Sequence, residues 1–237
     1  MENAKQLEEE TEVVCELYSQ VTELEEQGIH VYSVDECSGI QALARKHADR
    51  AMSPGKPRRV EFEYIRNGTL TLIGNFHVAS GRMDSPYINA TRNEKDFVNN
   101  IEQLIETDQQ AKGWVFILDQ LNTHKSESLV KLVAQHCGIE QDLGVKGKSG
   151  ILKSMQTRMD FLTNPDHSIR FIYTPKHCSW LNQIEIWFSI LYRKFLKWGN
   201  FKSTEDLKDK LLKFIQYFNE TMAKPFKWTF KGFPLRV

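Results

Sequence analysis

Apolar residues fall into blocks of two periods along this chain, and the blocks predict its elements. Val13, Val14, Leu17, Val21 and Leu24 recur at spacings of three and four, which predicts a helix over 1–28 stopped by Gly28. Residues 29–35 (IHVYSVD) read as a strand ending on an acid, followed by a turn-rich stretch to Arg59. Two more strands, VEFEYI and TLTLIGNFHV, flank Asn67-Gly68, a strong hairpin signal. A helix is predicted over 94–107, with Phe97, Ile101, Leu104 and Ile105 on one side. The unalternating apolar run WVFIL (114–118) suits a central strand covered on both faces, and a helix over 126–136 follows it with Ser126 as a cap. Residues 144–150 form a basic loop and 151–162 have helical spacing. IRFIYT gives a further strand stopped by Pro175, and 183–198 reads as one long helix. Ser203-Thr204-Glu205-Asp206 opens a last helix over about 205–219.

This order predicts an α/β fold whose mixed central sheet carries an antiparallel hairpin portion and is flanked by helices. A doubly wound dinucleotide fold is excluded, because strands and helices do not alternate from the start and no glycine fingerprint is present. The 237 residues suffice for a sizeable core. The formal net charge of zero hides a division. Residues 1–28 hold nine glutamates and one lysine, a net charge of −8, so residues 29–237 carry +8. A basic body of this kind is compatible with a polyanionic partner. Cysteines 15, 37, 137 and 178 lack metal-finger or scaffold spacing, which points to free thiols in a reducing compartment. No apolar run approaches a membrane span and the acidic start is no secretory signal, so a cytoplasmic protein without a membrane partner is expected.

Three acids stand out. Asp35 and Asp119 end apolar runs, and Glu185 lies one helical turn after Asn182 among Trp180, Trp187 and Phe188. Acids on separate elements that meet at one sheet edge can hold divalent ions, since magnesium prefers hard oxygen ligands. Two such ions can activate the attacking oxygen and stabilise the leaving oxygen of a phosphodiester. Asn122 and His124 follow the central strand closely enough to order a water or phosphate, and Asn182 is placed to orient Glu185 through the backbone at the helix start. Glu36 and Asp84 are competing acids; strand alternation should turn Glu36 away from Asp35. Lys56, Arg58 and Arg59, then Lys146 and Lys148, then Arg193, Lys194 and Lys197 are candidate phosphate contacts. Phe226 and Trp228 have the chemistry to stack on bases, although packing on their own domain is the favoured reading.

VYSVDECSGIQAL (31–43), WVFILDQLNTHKS (114–126), YTPKHCSWLNQIEIWFSIL (173–191) and NETMAKPFKWTF (219–230) together resemble bacterial insertion-sequence transposases of the mariner-like superfamily. The resemblance covers almost everything from residue 29 onward. It implies an RNase H-like DDE catalytic domain over 29–237, preceded by an acidic helical leader over 1–28. It also implies Asp35, Asp119 and Glu185 as catalytic acids and metal ligands. The expected cofactor is two Mg²⁺ ions, with Mn²⁺ able to substitute. The expected activity is hydrolysis of double-stranded DNA at transposon ends, then attack of the freed 3′-hydroxyl on target DNA, in the bacterial cytoplasm and at the nucleoid. Gln120 stands where many relatives have Asn, and 65 residues separate Asp119 from Glu185, which marks 138–168 as an insertion. Only 28 residues precede the first strand where relatives carry a helix-turn-helix region. A truncated copy, a product of an interrupted frame, or a catalytic part working as a homodimer or with a separate DNA-recognition subunit is therefore expected. Two rivals stay open: an RNase H-like nuclease for another nucleic acid, and a non-catalytic DNA-binding remnant.

Overall fold

The computed structural model describes residues 2–231. The end of the expected 29–237 domain and the last six residues of the tail lie outside the described residues. Helix α1 (Glu2–Glu26) precedes strand β1 (Ile29–Arg45), which is followed by β2 (Tyr64–His77), β3 (Arg82–Met83) and β4 (Tyr87–Asn89). Then come α2 (Glu94–Ile105), β5 (Gly113–Leu118), α3 (Glu127–His136), α4 (Met155–Leu162), β6 (Ile169–Tyr173), α5 (Ile184–Lys194) and α6 (Thr204–Thr221).

The strands form one mixed sheet in the order β3-β2-β1-β5-β6, with β4 also on β2. β1 and β2 are antiparallel, whereas β1, β5 and β6 run parallel. Every residue of β5 is buried, as its unbroken apolar run requires of a strand covered on both faces. Alternation assigns the two faces. Val31, Val115, Ile117 and Phe76 join a core with α1, α5 and α6. Tyr32, Val34, Phe116, Leu118 and Phe171 join another with α2, α3 and α4. The acidic leader thus packs through Val14, Leu17, Tyr18 and Val21, all buried.

Several expected boundaries move. β1 does not end at Asp35 but continues ten residues to Arg45. Ser38-Gly39, a turn signal in sequence, sits in a register shift between Cys37 and Ile40, where Gly39 takes φ +69°; the bulge bends the strand without ending it. Asn67-Gly68 makes no hairpin. It lies inside β2 opposite a second register shift, between Gln41 and Leu43, and Asn67 Nδ2 donates to the Phe201 carbonyl at 3.0 Å. The true β1–β2 connection is the excursion 46–63, and residues 60–63 of the expected strand VEFEYI belong to it. The long helix expected over 183–198 leaves helical geometry at Phe195 (φ −123°, ψ −60°), whose ring packs on Phe201 and Phe214. A short 3₁₀ turn, Leu196–Trp198, follows. Within 138–168, α4 starts at the Ser154 capping box and buries Phe161 and Leu162 in the second core. Both expected caps, Ser126 on α3 and Ser203 on α6, accept backbone N–H groups.

Candidate active site

Strand register brings the first two acids together. Parallel β1 and β5 pair Ser33 with Ile117; two residues further along each strand, the same register sets Asp35 beside Asp119. Adjacent strands lie about 4.8 Å apart, and equal parity sends both side chains to one face. That face is the one α5 covers. Opposite Asp35 on β2 stands Gly74. A Cβ there would lie 2.8 Å from Ile184 Cδ1 and 3.3 Å from Phe188 Cε1. Glycine therefore lets the first turn of α5 seat directly on the sheet, with Glu185 next to Ile184.

Asn182 fixes that seat. Its Nδ2 donates to the Val34 carbonyl at 2.9 Å, its Oδ1 accepts from the Ser33 hydroxyl, and the Ile184 N–H donates to Ser33 Oγ at 2.9 Å. The side chain thus fastens the helix to β1 rather than capping the helix's own backbone, the use expected from sequence. Tyr18 of α1 adds a bond from its hydroxyl to the Leu181 carbonyl at 2.8 Å.

Charge shows the consequence of this convergence. Burial first, then the neighbouring Asp119 and Glu36 charges, push Asp35 up to about 7, against a bond from the Glu36 N–H. Burial and the Asp119 charge also raise Glu185. Burial lifts the Cys37 thiol to about 11, with the Glu185 and Asp35 charges adding to it. Asp119 moves the other way: burial would raise it, but the hydrogen bond and charge of His124 hold it below the usual carboxylate range.

His124 is fully buried on the ring of Phe97. Its Nδ1–H donates to the Asp119 backbone carbonyl at 3.2 Å and lies 2.8 Å from Asp119 Oδ1 as an ion pair, while its Nε2–H donates to Glu36 Oε1 at 3.3 Å. Burial opposes the imidazolium, yet the two carboxylates raise it to about 10. Glu36 stands in the sequence as a competing acid, but its link to His124 is what sequence reasoning missed. Alternation alone would turn it away from the site, but its carboxylate reaches the same imidazole as Asp119, and its Oε2 is buried without a hydrogen-bond partner. The acidic pair Asp35-Glu36 was the one signal available. Asn122 opens the 3₁₀ turn that leads to His124 and lines a groove with Lys125, Lys176 and His177. Asp84 is elsewhere, accepting from the Tyr32 hydroxyl at 3.2 Å.

The basic clusters do not form one patch. Arg58 pairs with Asp49 at 2.5 Å, and it shares a groove with Trp198 just beyond Arg193, Lys194 and Lys197. Lys56 and Arg59 take part in short bridges of the same excursion. Lys146 lies elsewhere, 3.9 Å from Glu127 of α3, with Lys148 exposed on the same loop. Phe226 stacks on Phe76 and Trp228 packs on Tyr18, so both pack on their own domain. All four cysteines are free.

A second group lies at the other end of β1. Glu25, His30 and His77 offer ligand atoms all within 4.8 Å of one another, an arrangement suited to a divalent metal. Asp35 lies five residues further along the strand, roughly 16 Å away. Among the described residues no helix is long and apolar enough to cross a membrane.

A mixed sheet with helices on both faces, and acids just past the parallel pairing of β1 with β5, defines an α/β protein of the RNase H-like kind. The chain belongs to the DDE superfamily endonuclease family, whose model matches residues 30–208. Its fold is similar to that of the catalytic domain of Mos1 mariner transposase (TM-score 0.50, 9% identity, 89% of this chain and 81% of that one). It is also similar to the protein in the Mos1 mariner paired end complex with Mn (TM-score 0.53, 13% identity, 90% of this chain and 55% of that one). A third likeness is to the Mos1 transposase paired-end complex with left transposon end (TM-score 0.50, 11% identity, 89% and 55%). The chain thus spans just over half the length of the proteins in those complexes. Among curated proteins, none matches the sequence.

Proposed function

We propose that this chain is the catalytic part of a DNA transposase, cutting double-stranded DNA at the ends of an insertion sequence and joining the freed 3′-hydroxyl to target DNA. The observation that supports the reading is that Asp35 and Asp119 share the sheet face that α5 covers, with Glu185 in the first turn of α5 near enough for the Asp119 charge to act on it. These acids, one of them raised to about 7 by burial and then by the Asp119 and Glu36 charges, form a donor set of hard oxygens that a cation would relieve. Asp35, Asp119 and Glu185 would hold two Mg²⁺ ions, or Mn²⁺ in their place. Bound there, the ions would activate the attacking oxygen and stabilise the leaving oxygen. The Leu121 N–H donates to Asp119 Oδ1 at 3.0 Å, and the His124 imidazolium lies 2.8 Å from the same oxygen, so one oxygen of this carboxylate is already held by the protein. Asn182 and Ser33 set the position of Glu185, and the Gln120 amide is held by the Thr174 carbonyl at 3.2 Å beside the groove lined by Asn122.

Double-stranded DNA is the proposed partner, in keeping with similar folds seen in complexes named for transposon ends. Lys56, Arg58 and Arg59 with Arg193, Lys194 and Lys197 would track one stretch of backbone, and Lys146 and Lys148 another. A homodimer, or a separate subunit that recognises the ends, would complete the assembly on the bacterial nucleoid. The test is Mg²⁺-dependent nicking of end-bearing duplex by the full chain, compared with RNA–DNA hybrid and a four-way junction. Asp119→Asn and Glu185→Gln should each remove cleavage while keeping the fold. Normal cleavage by either variant would reject that residue's role, and preferential hybrid cleavage would favour a nuclease of another substrate class.

A further inference from the structure

We propose that Glu25, His30 and His77 form a binding site for a transition-metal ion of the zinc class, separate from the carboxylate site and independent of the activity proposed above. Each ligand comes from a different element: Glu25 from the last turn of α1, His30 from the start of β1, and His77 from the end of β2. The antiparallel register that pairs Tyr32 with His77 is what brings the two histidines side by side. Glu25 Oε2 lies 3.1 Å from His30 Nδ1 and 3.1 Å from His77 Nε2. Around a tetrahedral zinc ion with bonds of roughly 2.0–2.1 Å, neighbouring ligand atoms lie about 3.3 Å apart. Both glutamate edges are therefore near that length already, and only the two nitrogens need to draw closer.

The outer nitrogen of each ring is also held. His30 Nε2 bonds Asp108 Oδ2 at 3.0 Å, and His77 Nδ1 bonds Ser80 Oγ at 2.8 Å. Metal-ligating histidines are oriented in this way, their second nitrogen bonded to a carboxylate or another oxygen. Two imidazoles and a carboxylate suit zinc better than magnesium, which prefers an all-oxygen shell. Three protein ligands leave a fourth position for water. His77 is nearly buried, whereas Glu25 and Asp108 are 34% and 43% exposed, which gives the ion a way in. Bound there, the ion would tie the acidic α1 to β1 and β2 at the end of the sheet remote from Asp119.

The test uses the full chain carrying Asp119→Asn and Glu185→Gln, stripped with EDTA and titrated with Co²⁺ and then Zn²⁺. We expect the visible absorption of four-coordinate Co²⁺, saturating at one ion per chain and displaced by Zn²⁺, with a rise in melting temperature on metal binding. Glu25→Gln and His77→Gln should each abolish the band, and Asp108→Asn should weaken Co²⁺ binding about 10- to 100-fold. If His77→Gln fails to fold, Glu25→Gln, at a more exposed residue, decides the matter. No band in the doubly substituted chain, or equal affinity after Glu25→Gln, would overturn the site.

Discussion

Gly74→Ala isolates the contact that seats α5 on the sheet. The added Cβ would sit 2.8 Å from Ile184 Cδ1, with Phe188 Cε1 at 3.3 Å and Met83 Cε at 3.4 Å. Carbon atoms prefer separations of about 3.5–4.0 Å, so the main shortfall is roughly 1 Å, and it falls on one terminal methyl. Ile184 is fully buried and has little room to yield. Overpacking of this size costs about 1–3 kcal/mol, a fall of roughly 2–12 °C in melting temperature for a chain of this length. Ile184→Val removes the clashing methyl and alone costs about 0.5–1.5 kcal/mol. In the double variant the two costs should not add; a coupling of about 1 kcal/mol or more in favour of the pair is expected. Activity gives a second readout. Glu185 is the next residue, and a displacement near 1 Å can cost about 100-fold in rate. Gly74→Ala should therefore lose Mg²⁺-dependent nicking out of proportion to its stability, and Ile184→Val should restore part of it. Denaturant melts of the four proteins, with nicking rates on one duplex, complete the cycle. Strict additivity, or a Gly74→Ala chain as stable and active as the parent, would refute the reasoning.

Three further outcomes follow from the same geometry. With metal chelated, Asp35 holds a proton in the folded state up to about pH 7 that the unfolded chain loses near pH 4, so its contribution to stability falls as pH rises through that window. Asp35→Asn should flatten this part of the pH–stability curve, and an unchanged slope would count against the burial of that charge. His124 should stay protonated well above neutral pH, since its value is raised to about 10; NMR titration should show Asp119→Asn bringing it down, and a wild-type midpoint near 6.5 would dismiss the bridge. Asn182→Ala takes the side-chain donor from the Val34 carbonyl and the acceptor from the Ser33 O–H, although Ser33 Oγ still accepts the Ile184 N–H, at about 1–3 kcal/mol for a buried group left unpaired. Nicking should then fall at temperatures where circular dichroism shows the variant folded, and full activity there would remove Asn182 from any part in positioning Glu185.

Local pattern determined a great deal here. Periodicity marked α1 and α2, unbroken apolarity marked β5 as central, and Ser126 and Ser203 declared the starts of α3 and α6, because each of these signals is carried by neighbours in the chain. The three acids could be picked out for the same reason: Asp35 and Asp119 each follow an apolar run and Glu185 opens a legible helix, although β1 in fact continues past Asp35. Long-range pairing decided the rest. Ser38-Gly39 and Asn67-Gly68 look like turns in isolation, but the β1–β2 ladder absorbs them as bulges, since pairing on both sides of an extra residue outweighs its local preference. Glu36 joined His124, and His30 met His77, only through strand register and the loop after β5, which no local window contains. Tertiary structure alone also gave Gly74 its meaning: a missing side chain signals nothing in sequence until a helix is found filling its space.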